Sequence, residues 1–215
     1  ATRGYTLRPP CNGIEHVSRP PKRITRPRLQ RITAHYLERY STSVDNLRRL
    51  LARRVHRATA HHGDDPAEGL QLVEDELERL QRIGLLNDGA YARGRARSLL
   101  RKGNGPRLVR VKLRQKGLAP ELIDAALAEV EAELDLDPQR LAAALYARKR
   151  RIGPWARPPR RPESDDERRQ RRQRDLQRLA RAGYSFELAR FVVDASPGTP
   201  EAEELEALVL RRRSL

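Results

Sequence analysis

The sequence is poor in the residues that build a large hydrophobic core. Only 38% of its 215 residues are apolar and 4% are aromatic, which is too little for one extensive core. Its single cysteine, Cys11, excludes an intramolecular disulfide and suits a reducing cytosol. There is no apolar run long enough to span a bilayer and no signal-peptide core. We therefore expect a soluble, cytoplasmic protein with no membrane partner.

Motifs that carry catalysis are missing as well. The sequence has no glycine-rich loop with a phosphate-binding lysine, no dinucleotide fingerprint and no Cys or His pairs at zinc spacing. His56, His61 and His62 lie near Asp64 and Asp65 and could in principle bind a metal, but exposed imidazoles are common near a helix end. We therefore predict that the protein is not an enzyme and that it has no catalytic residue, no metal site and no cofactor.

Positive charge is what the sequence has in excess. There are 45 lysines and arginines against 29 acidic residues, a formal net charge of +16. Residues 1–63 carry 14 basic and 3 acidic side chains, 64–136 carry 12 and 14, and 137–215 carry 19 and 12. A polyanionic partner is indicated, either nucleic acid or a protein surface rich in carboxylates. Only five of the cations are lysines, and a GC-rich genome would equally explain that preference for arginine.

Helical patterning is clearest over residues 105–127. Leu108, Val109 and Leu113 form an apolar stripe at helical spacing, and Gly117 stands where a left-handed residue ends the helix. Pro120 then fits the first turn of the next helix. Since no segment alternates with period two for long enough to be a strand, the fold class is predicted to be all-α.

The same pattern returns 66 residues later. Leu179, Gly183 and Tyr184 take the places of Leu113, Gly117 and Leu118. A repeat of this kind is typical of a supersecondary unit copied along the chain, each copy too small to bury a core without its neighbours. We therefore predict tandem three-helix-bundle repeats in an elongated, curved array.

Helix start and stop signals divide the chain into units. Ser43, Asp65, Asn87 or Asp88, Asp137, Ser164 and Ser185 are the predicted N-caps, with a capping box from Ser164 to Glu167. Gly84 ends a helix, with Leu85 reaching back to Leu80. The predicted organisation is a disordered basic tail (1–27), three modules (28–86, 87–135 and 136–196, the third with a Pro/Arg-rich insertion near 153–164) and a C-terminal tail helix (197–215).

Rows of arginines lie on the second helix of each module. The rows are Arg48, Arg49 and Arg53; Arg107, Arg110 and Arg114; and Arg171, Arg174 and Arg178, followed by Arg181. Stacked modules would align the rows into a basic track, although solvated faces in an arginine-rich protein are the plainer explanation. Since no aromatic residues are interleaved among them, we expect contacts with phosphates or carboxylates rather than base stacking.

These motifs resemble the RecX family, bacterial modulators of the RecA recombinase. The resemblance covers about residues 29–195, and the residues that carry it stand in five stretches: Tyr36-Leu37-x-Arg39; Ser43-x-x-x-Leu47-Arg48-Arg49-x-Leu51; Leu86-Asn87-Asp88-x-x-Tyr91-Ala92; Leu113-Arg-Gln-Lys116-Gly117-Leu118 with Ile123-x-x-Ala126-Leu127; and Leu179-Ala-Arg-Ala-Gly183-Tyr184-Ser185. Lys112, the insertion around Trp155 and the basic N-terminal tail depart from the usual pattern.

The resemblance implies a protein that docks in the groove of the RecA–DNA filament, suppresses ATP hydrolysis and strand exchange and favours loss of the filament. Expected partners are the RecA filament and single- and double-stranded DNA, bound without sequence preference by a monomer. The alternative is a non-specific DNA-binding architectural protein; a helix–turn–helix repressor is disfavoured because no helix has a base-reading set of side chains. The candidate RecA- and DNA-contacting residues are Arg48, Arg49, Arg53, Arg107, Arg110, Arg114, Lys116, Arg171, Arg174 and Arg178.

Overall fold

The computed structural model describes residues 20–133 and 137–211. Within these ranges the chain is all-α, with ten α-helices, one 3-10 helix and no strand. The helices are α1 Arg26–Leu37, α2 Val44–His62, α3 Pro66–Arg82, α4 Asp88–Arg101, α5 Pro106–Arg114, α6 Pro120–Glu133, α7 Pro138–Arg150, α8 Asp165–Arg181, α9 Phe186–Asp194 and α10 Pro200–Arg211, with the 3-10 helix at Gly153–Trp155.

Local chemistry explains where these helices begin. Five of them start on a proline, whose missing N–H would be unpaired in the first turn anyway. The predicted caps are confirmed by hydrogen bonds from backbone N–H groups to the side chains of Ser43, Asp65, Asn87, Asp137, Ser164 and Ser185. The capping box between Ser164 and Glu167 is also present.

The start of the described chain differs from the predicted tail. Most of that tail, including Cys11, lies outside the described residues. The remainder is held to the folded part: Ile24 packs against the apolar core of α1–α3, and Arg26, the first residue of α1, donates to Asp75 at 2.7 Å. Pro27, whose composition suggested a tail, lies in the first turn of α1.

Two separate apolar cores are present. The first contains Leu29, Leu47, Leu51, Val55 and Leu77, among others from α1–α3 and Leu86. The second runs without interruption through α4–α10, from Ala92 to Val209. Over its described residues the chain is thus a first three-helix unit followed by a larger helical part, and the division of that larger part into two modules stays a prediction.

Glycine turns end several of these helices. After α5 and α8 the backbone passes through Gly117 (φ 77°) and Gly183 (φ 90°), and the N–H groups of Leu118 and Tyr184 donate back to Leu113 and Leu179. At the end of α3 the prediction was wrong by one residue. Leu86 N–H donates to the Leu80 carbonyl at 3.2 Å, so Leu86 is buried, whereas Leu85 is 63% exposed.

The first joint connects the first unit to the helices that follow it. Ser43, the cap of α2, donates its hydroxyl to the Lys116 carbonyl, and Lys116 Nζ donates to Asn46 Oδ1 at 3.1 Å. The Val44 N–H donates to Asp88 Oδ1 at 2.9 Å, which explains why Asn87, and not Asp88, caps α4. The start of α2 therefore rests on the glycine turn after α5.

The second joint repeats this arrangement between α5 and α8. Gly105, the cap of α5, donates its N–H to the Ala182 carbonyl at 2.8 Å, and the Arg107 N–H donates to the Gly183 carbonyl at 3.3 Å. Lys116 and Ala182 both precede the repeated glycine. The start of α2 therefore contacts the glycine turn after α5, and the start of α5 contacts the glycine turn after α8. These equivalent contacts give the 66-residue repeat a structural reason.

A buried tyrosine beside the second joint has an unpaired hydroxyl. Tyr184 is 2% exposed, and its Oη has no hydrogen-bond partner in the described part of the chain. An unpaired buried hydroxyl costs about 1–3 kcal/mol. Burial also raises the pKa of the Tyr184 phenol above its ordinary value, so this phenol stays neutral in the folded protein at pH values where it ionises in the unfolded chain.

We expect Tyr184→Phe to raise the free energy of unfolding by about 1 kcal/mol at neutral pH. Because the folded pKa is raised, the wild type loses stability as the pH rises above about 10, the ordinary tyrosine value, and Tyr184→Phe should lose less. Urea unfolding at neutral and alkaline pH measures both effects. Tyr40→Phe, at a 57% exposed position, is the control. A loss of stability in Tyr184→Phe at neutral pH would contradict the prediction.

Candidate nucleic-acid interface

Helix α2 presents both neutralised and free arginines. Its buried face carries Leu47, Leu51 and Val55, so the arginines lie on the outer side. Arg48 donates to both carboxylate oxygens of Glu74, at 2.8 and 3.0 Å, and this hydrogen bonding raises the pKa of its guanidinium above the ordinary value. Arg49 pairs with Asp45. Of the predicted row on α2, these two arginines are therefore engaged with carboxylates.

Three further arginines on the same helix have no such partner. Arg53, Arg54 and Arg57 are exposed, and within the described residues none of them forms an ion pair. With Leu50 they line a recess of about 230 Å³. Arg54 and Arg57 were not among the predicted contacts, although the sequence places them one and four positions after Arg53.

A neighbouring recess extends this positive surface to the start of α1. Its volume is about 210 Å³, and its charged lining residues are Lys22, Arg28, Arg54 and Arg57, without a carboxylate. The Nε atom of Arg28 is buried and has no hydrogen-bond partner in the described part of the chain. A buried N–H without an acceptor is costly, and an anion in the recess would supply one. We call Lys22, Arg28, Arg53, Arg54 and Arg57 the α2 cationic patch.

The predicted row on α5 is only partly free. Arg110 Nε donates to Asp124 at 2.7 Å, so its charge is neutralised locally. Arg107 and Arg114 are exposed and have no carboxylate partner among the described residues. Lys116, predicted from the family motif, belongs to the first joint, where its ammonium is bonded to Asn46.

The predicted row on α8 is also partly paired with carboxylates and partly free. Arg171 Nε donates to Glu163 at 3.1 Å, and Arg178 donates to Asp175 at 2.8 Å. Arg174 is exposed and forms no ion pair with any described residue. Arg172, which the row did not include, is held by Asp194 at 2.6 and 2.7 Å; this pairing lowers the pKa of the Asp194 carboxyl.

The arginine rows therefore differ from their appearance in the sequence. Helical spacing correctly predicts that each row lies on the side of its helix that faces away from the core. It does not show which arginines of a row are paired with a carboxylate. Among the ten predicted residues, Arg53, Arg107, Arg114 and Arg174 have no polar side-chain partner in the described part of the chain. An arginine already paired must give up that interaction to bind a phosphate, so the unpaired residues are the better candidates for contact with a polyanion.

Sequence reasoning missed a groove at the first joint. It has a volume of about 510 Å³ and lies between the end of α1 and the start of α4. Tyr36, Tyr40 and Tyr91 line it together with Arg39 and Arg95. The only local signal was the pair Tyr36 and Tyr40 on either side of Arg39; Tyr91 is too distant in sequence to be associated with them. In this groove aromatic and basic side chains lie together, whereas the arginine rows on α2, α5 and α8 contain no aromatic residue.

Metal and membrane sites receive no support from the described residues. No three His, Cys, Asp or Glu side chains in that part of the chain converge as a metal site would require. His62 Nε2 lies 2.7 Å from the Pro21 carbonyl, and its ring contacts that of His61 edge to face. None of the described helices is both long enough and apolar enough to cross a membrane.

Comparison with known proteins gives a consistent result. A family profile described as the second three-helix domain of RecX matches residues 87–127. The chain is 38% identical over 177 residues to regulatory protein RecX of Myxococcus xanthus, covering 82% of this chain and 90% of that protein. It is 36% identical over 140 residues to regulatory protein RecX of Agrobacterium fabrum, covering 65% and 67%.

A solved structure is also similar. It is described as the crystal structure of regulatory protein RecX, with a TM-score of 0.49 and 24% identity, covering 79% of this chain and 71% of that one.

Proposed function

Because the chain belongs to the RecX family, we propose that it is a negative regulator of the RecA recombinase. In this proposal it binds the RecA–DNA filament, inhibits ATP hydrolysis and strand exchange, and promotes disassembly of the filament, so that it modulates DNA repair and the SOS response. The observation that carries the proposal is the similarity to a named regulatory protein over nearly all of that protein's length. No catalytic step by the chain itself is involved.

The structure suggests how such binding would work. The first unit has its own core and meets the following helices at a joint made largely of hydrogen bonds. A chain of such units can contact several filament subunits at once, so modest individual contacts add through effective concentration. The unpaired arginines on α2, α5 and α8 would meet phosphates or carboxylates of the filament. The protein would act as a cytoplasmic monomer.

The test is the ATPase activity of RecA on single-stranded DNA with increasing amounts of this protein. We expect turnover to fall to a small fraction of its initial value while DNA is saturating. Replacing Arg107, Arg110 and Arg114 together with alanine should weaken inhibition several-fold and leave helicity unchanged. Because Arg110 is paired with Asp124, the double variant Arg107→Ala/Arg114→Ala should show most of that loss.

The rival proposal is a non-specific architectural DNA-binding protein, for which the net charge of +16 would suffice. Such a protein would bind bare DNA and the filament equally well, with an affinity that falls steeply with salt. Unchanged ATP turnover at saturating DNA, together with equal affinity for both forms of DNA, would favour this rival. Unaltered inhibition by the triple variant would remove the α5 row from the interface.

A further inference from the structure

The groove at the first joint has the composition of a site for single-stranded nucleic acid. We call it the first-joint groove. Its volume of about 510 Å³ is within the range of about 300–1,000 Å³ that is usual for ligand sites. It is lined by Tyr36, Arg39, Tyr40, Ser41, Asn46, Ala90, Tyr91, Gly94, Arg95, Ser98 and Lys116.

Its aromatic rings are held in place and remain accessible. Tyr36 packs against the first core and Tyr91 against the second, so each core contributes one half-buried ring. Tyr40 is 57% exposed, and its ring centroid lies 5.2 Å from that of Tyr36 with the planes tilted by 40°. The exposed ring of Tyr40 therefore has a face on which a base can stack. The ring of Tyr36 beside it is fixed by packing against the first core.

The charge of the groove is of one sign. Arg39, Arg95 and Lys116 line it, and no carboxylate is among the lining residues. Arg39 and Arg95 form no ion pair within the described ranges, in contrast to many arginines elsewhere on the surface. Lys116 is held against Asn46. Burial raises the pKa of the Tyr91 phenol further above neutral pH.

We propose that the first-joint groove binds a short stretch of single-stranded nucleic acid. One or two bases stack on Tyr40 and Tyr36, while Arg39, Arg95 and Lys116 contact the adjoining phosphates. Exposed aromatics beside a cationic groove are how proteins bind single strands without sequence preference, because every base has a face that can stack. A duplex does not fit this chemistry, since its bases are already stacked on one another. The proposal is independent of any action on RecA.

The experiment compares two single-stranded 15-mers that differ only in their bases: oligo-dT and an abasic strand with the same phosphates. Fluorescence anisotropy of labelled strands at fixed salt measures binding to the full chain. We expect the wild type to bind oligo-dT at least about tenfold more tightly than the abasic strand, and Tyr40→Ala to lose most of that preference. Tyr40→Phe, which keeps a ring, should retain it. Binding to the abasic strand should be the same for all three proteins.

Two comparisons, Tyr40→Ala with Leu85→Ala and Gly94→Leu with Gly94→Ala, separate a direct effect on the groove from indirect effects. Leu85→Ala removes another large exposed side chain, 63% exposed, and should leave the preference unchanged. Gly94 lies on the groove wall, and a Cβ there meets no atom within 4 Å; Gly94→Ala should preserve the preference, whereas the larger Gly94→Leu should reduce it. The proposal is overturned if the wild type binds both strands equally, or if Tyr40→Ala weakens them to the same extent.

Discussion

Replacing Gly183 with alanine is expected to lower the free energy of unfolding by about 3–4 kcal/mol, the largest single-residue effect that we predict. About 1–2 kcal/mol comes from placing an L-residue in the left-handed region, since the φ of Gly183 is 90°. The rest comes from crowding, because a Cβ at this position would lie 2.5 Å from the backbone nitrogen of Leu108. Backbone cannot move aside as a flexible side chain can, so the second joint must open or shift.

The matched control is Gly84→Ala. Gly84 has a φ of 75°, but a Cβ there would meet no atom within 4 Å, so this variant carries the backbone strain without the crowding. Thermal unfolding should show a fall of about 10 °C for Gly183→Ala and about 3 °C for Gly84→Ala, at about 2–4 °C per kcal/mol for a chain of this size. Equal effects of the two substitutions would show that close approach at the second joint contributes nothing.

Gly117→Ala is expected to fall between these two. Gly117 has a φ of 77°, and its Cβ would collide with the Asp45 side chain, which is more flexible than backbone. Asp45 is also a partner of both Arg48 and Arg49, so moving it disturbs two ion pairs. If Gly84→Ala is the most stable of the three variants, Gly117→Ala intermediate and Gly183→Ala the least stable, both repeated glycines allow close packing at the joints.

The second large effect concerns which arginines bind DNA. Replacing Arg53, Arg54 and Arg57 with alanine should weaken binding to a duplex by at least about tenfold at 0.1 M salt and reduce the slope of log K against log salt by about 2–3. The physical reason is that none of these three side chains is paired with a carboxylate among the described residues. Each can therefore bind a phosphate and displace its counterions without first breaking an ion pair. Affinity measured by fluorescence anisotropy at several salt concentrations gives both quantities.

The control removes the same charge from other places. Arg48, Arg110 and Arg171 are each bonded to a carboxylate, of Glu74, Asp124 and Glu163 respectively, and their triple alanine variant has the same net charge as the first. We expect it to bind duplex DNA within about threefold of the wild type, with a nearly unchanged salt slope. Equal losses in both triple variants would mean that net charge alone, rather than the α2 cationic patch, determines binding.

Much of the secondary structure could be predicted because its causes are local. The caps at Ser43 and Ser164 and the prolines that begin α3 and α7 act within one turn of helix. The error at Leu85 had a different origin. Both leucines after Gly84 can follow a glycine turn, and only packing against the first core selects Leu86 as the buried one.

The candidate sites were less predictable because their chemistry joins distant residues. Helical periodicity places Arg48 and Arg53 alike on the outside of α2, yet Glu74, from another helix, pairs with Arg48 alone. The sequence likewise separates Tyr40 from Tyr91 by 51 positions, so it gave no reason to expect a stacking site. The buried Nε of Arg28 likewise lies in a recess lined by residues from before α1 and from α2, which are distant in sequence.

The sequence by itself determined the all-α fold, the helix starts and the repeated glycine turn, because capping, periodicity and left-handed backbone depend on near neighbours. Only the tertiary structure decided which cations are free, that α4–α10 share one core, and that the two glycine turns form joints. These features depend on contacts between helices, and 66 residues separate the two glycines, a distance over which local preferences carry no information about what each turn touches.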